Sequence, residues 1–444
     1  MAGPDRASDI DATPFWGLGD RISQPRRPWW RGVRGALGAA LLVAALLVAA
    51  VALRALQPPA PPAPPPPQTL GALTLCPDTP GSRCDLLAEA RARIHGKLSA
   101  VAALSPRLAW AVGRRTLPLG RYGALIERWD GARWRVVTGA QPPPNRVIGE
   151  HSELTAVAAS SPRDVWAAGT YRRGSDYYLG DVPFFEHWDG ARWRLVSAPR
   201  GLMADGTYIT GLSARTPRDA WAVGYADEDN QHGFVLHWDG QAWSEVASGA
   251  FPTGDHAQMN GVAALSARDV WAVGVDDNPD NGQEEGLILH WDGRAWAKVE
   301  APPGGWAGGN SDNYLTCVAA LSARDVWAFG PNIVAHWDGD AWTRVDDVTL
   351  DKISSTMTKA GRTIVVFTYG QITTWDGNSW SAFPAAIDDN ASLAGSGASG
   401  ARDVWAVGNV DATIGEGPDR HDVEAPLIIH DDGRSWRVVP NGLP

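Results

Sequence analysis

The chain has 444 residues, a formal net charge of −11 and three Cys. That charge excludes nucleic-acid binding by phosphate neutralisation, which needs a surplus of Lys and Arg. Three Cys at these spacings exclude a disulfide scaffold and a zinc site. Length alone would suggest two or three domains, but an internal repeat overrides that prior, because stacked units share one core.

Residues 1–34 are polar and show no apolar period, and they read as a cytoplasmic tail. They end in Arg26, Arg27, Arg31 and Arg34, with Trp29 and Trp30 between. Gly35 to Leu53 is uncharged and apolar. A helix of that length spans roughly 28 Å, close to the hydrocarbon thickness of a bilayer. With the basic cluster ahead of it, segment 35–54 is expected to be a transmembrane signal anchor with a cytoplasmic N-terminus. A cleaved signal peptide is the alternative, although its apolar region is typically only about 7–15 residues long. Either reading exports the remainder across the plasma membrane. Residues 55–68 form a Pro-rich stalk, a stiff polyproline II spacer roughly 30 Å long. Residues 69–97 are expected to be a clasp, with Cys76 and Cys84 paired in an oxidising compartment and a short helix from Asp85 to His95. Cys317 lies in an apolar strand and reads as a buried thiol.

From residue 98 to 444 one unit recurs. Trp-Asp-Gly stands at Trp129, Trp188, Trp238, Trp291, Trp337 and Trp375, and His430-Asp431-Asp432-Gly433 is a seventh copy without the aromatic. A second Trp follows each Gly at 134, 193, 243, 296, 342, 380 and 436. Asp-Gly between apolar runs signals a tight hairpin, because Gly accepts the positive φ of the turn. In the copy around Trp291, Gly261–Leu265, Val270–Gly274, Gly286–Trp291 and Ala295–Val299 read as four short antiparallel strands. The other copies run 99–137, 154–196, 208–246, 315–345, 352–383 and 392–439. The sixth is degenerate, with Arg362-Thr-Ile-Val-Val-Phe in place of Arg-Asp-Val-Trp-Ala-Val. Seven such units describe an all-β fold, a seven-bladed β-propeller of four-stranded antiparallel blades. A third set of Trp (110, 166, 221, 271, 327, 405) falls on the second strand, so the Trp content is expected to pack blade against blade.

An apolar strand ending in Gly, then aromatic-Asp, then Trp, resembles the kelch repeat. The Asp-Gly-x-x-Trp turn is similar to a shortened Asp-box of sialidase-like and photosystem-assembly propellers. With its Asp-Val-Trp-Ala-Val-Gly signature, the chain resembles a bacterial group of membrane-anchored repeat propellers. The resemblance covers residues 98–440 and implies a fold; propellers host many functions.

In such a blade the first-to-second turn and the Asp-Gly hairpin share one face of the ring. That face is monotonous: Arg107, Arg163, Arg218, Arg268, Arg324, Arg362 and Arg402 recur, and they read as structural turn and ion-pair chemistry. The opposite face varies. All eight Tyr fall in or beside its loops, together with acidic loops at Asp227–Asp229, Asp276–Asp280 with Glu284 and Glu285, and Asp411–Glu424. Trp306 lies in a Gly-rich loop there. Variable loops on a rigid scaffold usually carry binding residues. Trp306, Tyr177, Tyr178, Tyr225, Asp227, Asp229 and Tyr314 are the binding candidates, for a protein or a glycan. Asp276, Asn278 and Asp280 alternate like oxygen ligands of a calcium loop, but the Gly comes one place late and no twelfth-position Glu follows. Five His (187, 237, 290, 336, 430) precede the hairpin and read as structural. No nucleophile elbow, phosphate loop or zincin motif occurs. The function expected is an extracytoplasmic binding or scaffold propeller. A carbohydrate-active enzyme using the acidic rim and a transmembrane sensor acting through the basic tail are the alternatives.

Overall fold

The computed structural model describes residues 96–118, 121–140, 151–172, 181–203, 206–226, 232–246, 257–277, 284–300, 314–331, 333–345, 356–368, 371–384, 391–414 and 421–443. The tail, the span at 35–54, the stalk, Cys76, Cys84 and the helix over 85–95 lie outside them. Among the described residues no helix is long and apolar enough to cross a membrane.

Seven four-stranded antiparallel sheets follow one another along the chain, each built from four consecutive strands. The blades occupy 96–136, 152–196, 207–245, 258–298, 317–344, 356–384 and 391–438. Blade 4 shows the plan: Gln258–Ser266, Asp269–Asp277, Glu284–Trp291 and Trp296–Lys298, on the four expected segments. The first strand of blade 1 packs on those of blades 2 and 7, so the ring closes. Among the described residues no strand is exchanged at the closure, each sheet taking four consecutive strands. Blade 1 begins at Gly96, inside the segment expected as clasp.

In six of the seven blades the second-strand Trp is the packing unit between sheets. Trp110 lies 5.1 Å from Trp188 and 5.2 Å, edge-on, from Trp193 of the next blade. Trp166, Trp221, Trp271 and Trp327 repeat this with the third- and fourth-strand Trp of blades 3 to 6. Trp405 meets Trp129 at 5.1 Å and Trp134 at 5.2 Å, across the closure. A large ring at each of these interfaces fills the wedge between twisted sheets. The two missing Trp belong to a single interface. Val365 of blade 6 and Asp431 of blade 7 hold the positions where Trp stands elsewhere. There an aliphatic cluster and the edge-on pair Phe367–Trp436, 5.4 Å apart, fill the space.

Around the channel, the first strands carry a repeated bulge. In blade 2 the register shifts between Leu154 and Ala156, leaving Thr155 as the extra residue. Its Oγ1 donates to Ile209 O of the next blade at 2.6 Å. Thr210 does the same to Met259 O at 2.6 Å, and Asn260 Nδ2 to Leu315 O at 2.8 Å. The bulge brings backbone against the second strand: a Cβ on Gly274 would sit 1.9 Å from Gln258 O. Blade 6 has Thr368 at that position, and its first strand pairs without a shift from Thr356 to Ala360. Thr155→Val is expected to cost about 1–2 kcal/mol in urea unfolding, since it leaves a carbonyl of the neighbouring blade without its donor.

Candidate functional site

The two ends of the ring differ in what their side chains are committed to. At the hairpin end everything is turn chemistry. Asp292 Oδ1 accepts from the amides of Arg294 (2.8 Å) and Ala295 (2.9 Å), and Gly293 takes φ 94°. Trp291 Nε1 donates to Ala267 O at 3.2 Å, tying the hairpin to the first-to-second turn. The recurring turn Arg serves the turn, as expected, through its stem more than its charge. Its aliphatic stem lies over the hairpin Gly, so that a Cβ on Gly293 would sit 2.4 Å from Arg268 Cγ. The ion pairs of this face come instead from fourth-strand Arg: Arg135–Asp130 at 2.8 Å and Arg194–Asp189 at 2.7 Å.

The five repeated His are structural, as expected. Each donates its Nε2–H to the Asp that opens the second strand of its own blade, at 2.6 to 3.1 Å. Each also lies against the buried Trp of that blade, closest in blade 7, where His430 and Trp405 are 3.7 Å apart. Blade 1 has Leu108 and Arg128 at these positions, and Arg128 sits over the Trp110 ring instead.

The opposite end holds Tyr122, Tyr171, Tyr208, Tyr225 and Tyr314, all at or beside strand ends and half-buried. Of the binding candidates, Tyr225 and Tyr314 are therefore placed at that end. Tyr225 pairs with Tyr208 across the first and second strands of blade 3, with rings 5.2 Å apart at 32°. Tyr122 lies 5.5 Å from His151 across a single parallel bridge, with the Arg114 guanidinium 4.4 Å from its ring. Trp306, Tyr177, Tyr178, Asp227, Asp229, Asn278 and Asp280 lie outside the described residues.

Asp276 is on a strand rather than in a loop. The second and third strands of blade 4 continue as a ladder to Asp277 opposite Glu284. The carboxylate of Asp276 is buried, and its Oδ2 accepts from Lys298 Nζ at 2.9 Å. Much of the insertion from Asp411 is likewise ladder, pairing out to Ile414 opposite His421. Among the described residues no group of three His, Cys, Asp or Glu could hold a metal ion.

A channel of about 220 Å³ opens between the first strands, lined by small side chains and by Ser99, Thr155, Thr210, Asn260, Thr316 and Thr356. Most of these polar atoms are spent on blade-to-blade hydrogen bonds. Cys317 stands in its wall, half-buried, and burial pushes the thiol pKa up to about 12.

Sequence reasoning missed an ionic network at the Tyr-bearing mouth of this channel. Glu153 of blade 2 takes Lys97 at 2.8 Å and Arg114 at 3.2 Å, both from blade 1, and Arg114 reaches Glu424 of blade 7 at 2.7 Å. Burial works against the Arg114 charge, but Glu424 and Glu153 hold its pKa above the ordinary value. Burial, then Arg172, holds His151 below its ordinary value. The network joins residues up to 310 apart in sequence, so no local motif announces it.

No family model and no curated protein matches the chain. Among solved structures it is similar to YCF48 bound to D1 peptide, at 11% identity and TM-score 0.45, covering 71% of this chain and 90% of that one. It is also similar to the β-propeller domain of the Trilobed protease from Pyrococcus furiosus, at 12% identity and TM-score 0.44, covering 78% and 96%. A third is the six-bladed fucose-recognising lectin of Aleuria aurantia, at 13% identity and TM-score 0.40, covering 78% and 97%.

Proposed function

We propose that the chain is a membrane-anchored, extracytoplasmic propeller that binds a protein or a glycan through the Tyr-bearing end of its ring. The observation that carries this is the asymmetry between the two ends. One end commits its Asp, Arg and Trp to its own turns, whereas the other gathers the five described Tyr. Aromatic side chains with hydroxyl tips supply rigid contact area to a polar partner at little entropic cost. The uncharged run at 35–54 would hold the ring at the membrane and the Pro-rich stalk would space it away. The Trp-Asp-Gly and Asp-Val-Trp-Ala-Val-Gly signatures place the chain, on this reading, with membrane-anchored repeat propellers akin to the kelch and Asp-box types.

The test is capture from envelope extract, and from a glycan panel, by the full chain in detergent. Loss of an aromatic anchor at an interface centre typically costs about 2 kcal/mol or more. Tyr225→Ala and Trp306→Ala are therefore expected to weaken capture roughly 30-fold or more, with Arg268→Ala on the hairpin end unchanged. Equal capture by all three variants and the parent chain would refute the assignment of the binding end.

A further inference from the structure

Two residues before the hairpin aromatic position, the third strand of each blade points a side chain at the preceding blade. Five blades place Leu236, Leu289, Ala335, Thr373 and Ile429 there, all buried. Blades 1 and 2 place Glu127 and Glu186, each 0% exposed. The two carboxyls therefore sit in the two interfaces that flank blade 1. Each receives one backbone amide from the exit segment of the preceding blade. Gly442 N donates to Glu127 Oε2 at 2.9 Å, and Ala140 N donates to Glu186 Oε2 at 2.6 Å. The other oxygen of each is buried with no partner. A buried carboxylate with a single donor is a costly substitute for leucine.

The interface at Glu127 is also the ring closure, where the chain itself does not join the two blades. The segment 439–443 lies across it. Val439 N donates to Ile428 O at 2.9 Å, and Val439 and Leu443 pack on the cluster around Trp405 and Trp129. Charged groups of the surrounding strands engage other partners. On blade 1, Lys97 and Arg114 pair with Glu153, Arg135 pairs with Asp130, and Arg128 lies over Trp110. On blade 7, His430 pairs with Asp403, Arg437 with Asp432, and Glu424 with Arg114, while the half-buried Asp431 accepts from the Gly433 amide.

We propose that segment 439–443 is a pH-released latch on the ring, with Glu127 as its trigger. With the carboxyl protonated the segment lies shut on blade 1. Loss of the proton leaves a charge that a single amide does not solvate, and the segment lifts to admit water. Burial pushes Glu127 up to about 7, against the opposing pull of the Gly442 amide, and does the same to Glu186. For an acid raised in this way, the shut state keeps a proton that the open state has released. Closure is therefore strongest below about pH 4.5, the ordinary carboxyl value, weakens across the interval up to 7, and is weakest above it. Because Arg114–Glu424 spans the same closure at the Tyr-bearing end, opening would also reshape the channel mouth there.

Hydrogen–deuterium exchange on the full chain, corrected for intrinsic rates, tests this directly. Protection of 439–443 is expected to fall on the order of 100-fold between pH 5 and pH 8, since a proton taken up over about two pH units changes the equilibrium by that factor. Glu127→Gln, and independently Glu127→Leu as in blades 3 and 4, should flatten the dependence. Glu186→Gln should leave it in place at 439–443 while flattening exchange near Ala140. Protection of 439–443 that does not change with pH in the parent chain, or that changes equally in either Glu127 variant, overturns the proposal.

Discussion

Trp405→Ala is expected to destabilise the propeller by about 3–5 kcal/mol and to open it between blades 7 and 1. Trp405 is 0% exposed and meets three rings: Trp129, Trp134 and its own His430. Truncation leaves a cavity the size of an indole, and rigid strands on both sides cannot collapse into it. Trp166→Ala removes an equally buried ring, but the chain connects blades 2 and 3. Similar losses are thus expected in urea unfolding for both variants, whereas scattering should show an increased radius only for Trp405→Ala. The interface of blades 6 and 7 shows what compensation requires. With Val365 opposite Asp431, the space is filled by Phe367, Leu393 and Trp436 together, not by one changed side chain. A loss below about 1 kcal/mol for Trp405→Ala would mean that the rings do not carry the closure.

The propeller was legible because its signals are local and repeated. Asp292-Gly293 fixes a turn within four residues, and the short apolar runs around Val273 and Ile288 read as strands that the ring buries on both faces. Blade 6 stayed recognisable without its second-strand Trp because Asp376-Gly377 and the strand pattern survived. What could not be read depends on distant chain. Glu127 with Arg128 looks like the polar end of an apolar run; the contact with Gly442, 315 residues away, shows what covers it. Thr155 and Thr210 read as ordinary strand residues, because a bulge leaves no mark in a pattern of small side chains. The turn Arg read as structural turn and ion-pair chemistry, and the turn part is what the structure shows, with their stems covering the hairpin Gly in six blades. At the candidate site the end of the ring followed from the order of turns. The partners Lys97, Arg114, Glu153 and Glu424 did not, because three blades contribute to one network.

Asp403 is the second residue whose loss should be severe. It is 3% exposed and accepts from His430 Nε2 at 2.8 Å, from Trp405 Nε1 at 2.9 Å and from the Ser399 hydroxyl. Burial disfavours its charge, but His430, Ser399 and Trp405 outweigh that and hold its carboxyl below the usual range. Asp403→Ala strands three donors, one on a buried imidazole, and breaking such a buried pair costs about 3–5 kcal/mol. Asp292 accepts two hydrogen bonds in its hairpin, but it does so in water, so Asp292→Asn is expected to cost far less than Asp403→Ala. Blade 1 indicates that the pair is replaceable only as a pair, since Leu108 and Arg128 stand together where Asp403 and His430 stand in blade 7. The double variant Asp403→Leu with His430→Arg should therefore be more stable than the sum of the two single changes, with a coupling of about 1–3 kcal/mol in a urea-unfolding cycle. Strict additivity would show that the Asp–His contact is incidental and that Trp405 is oriented by packing alone.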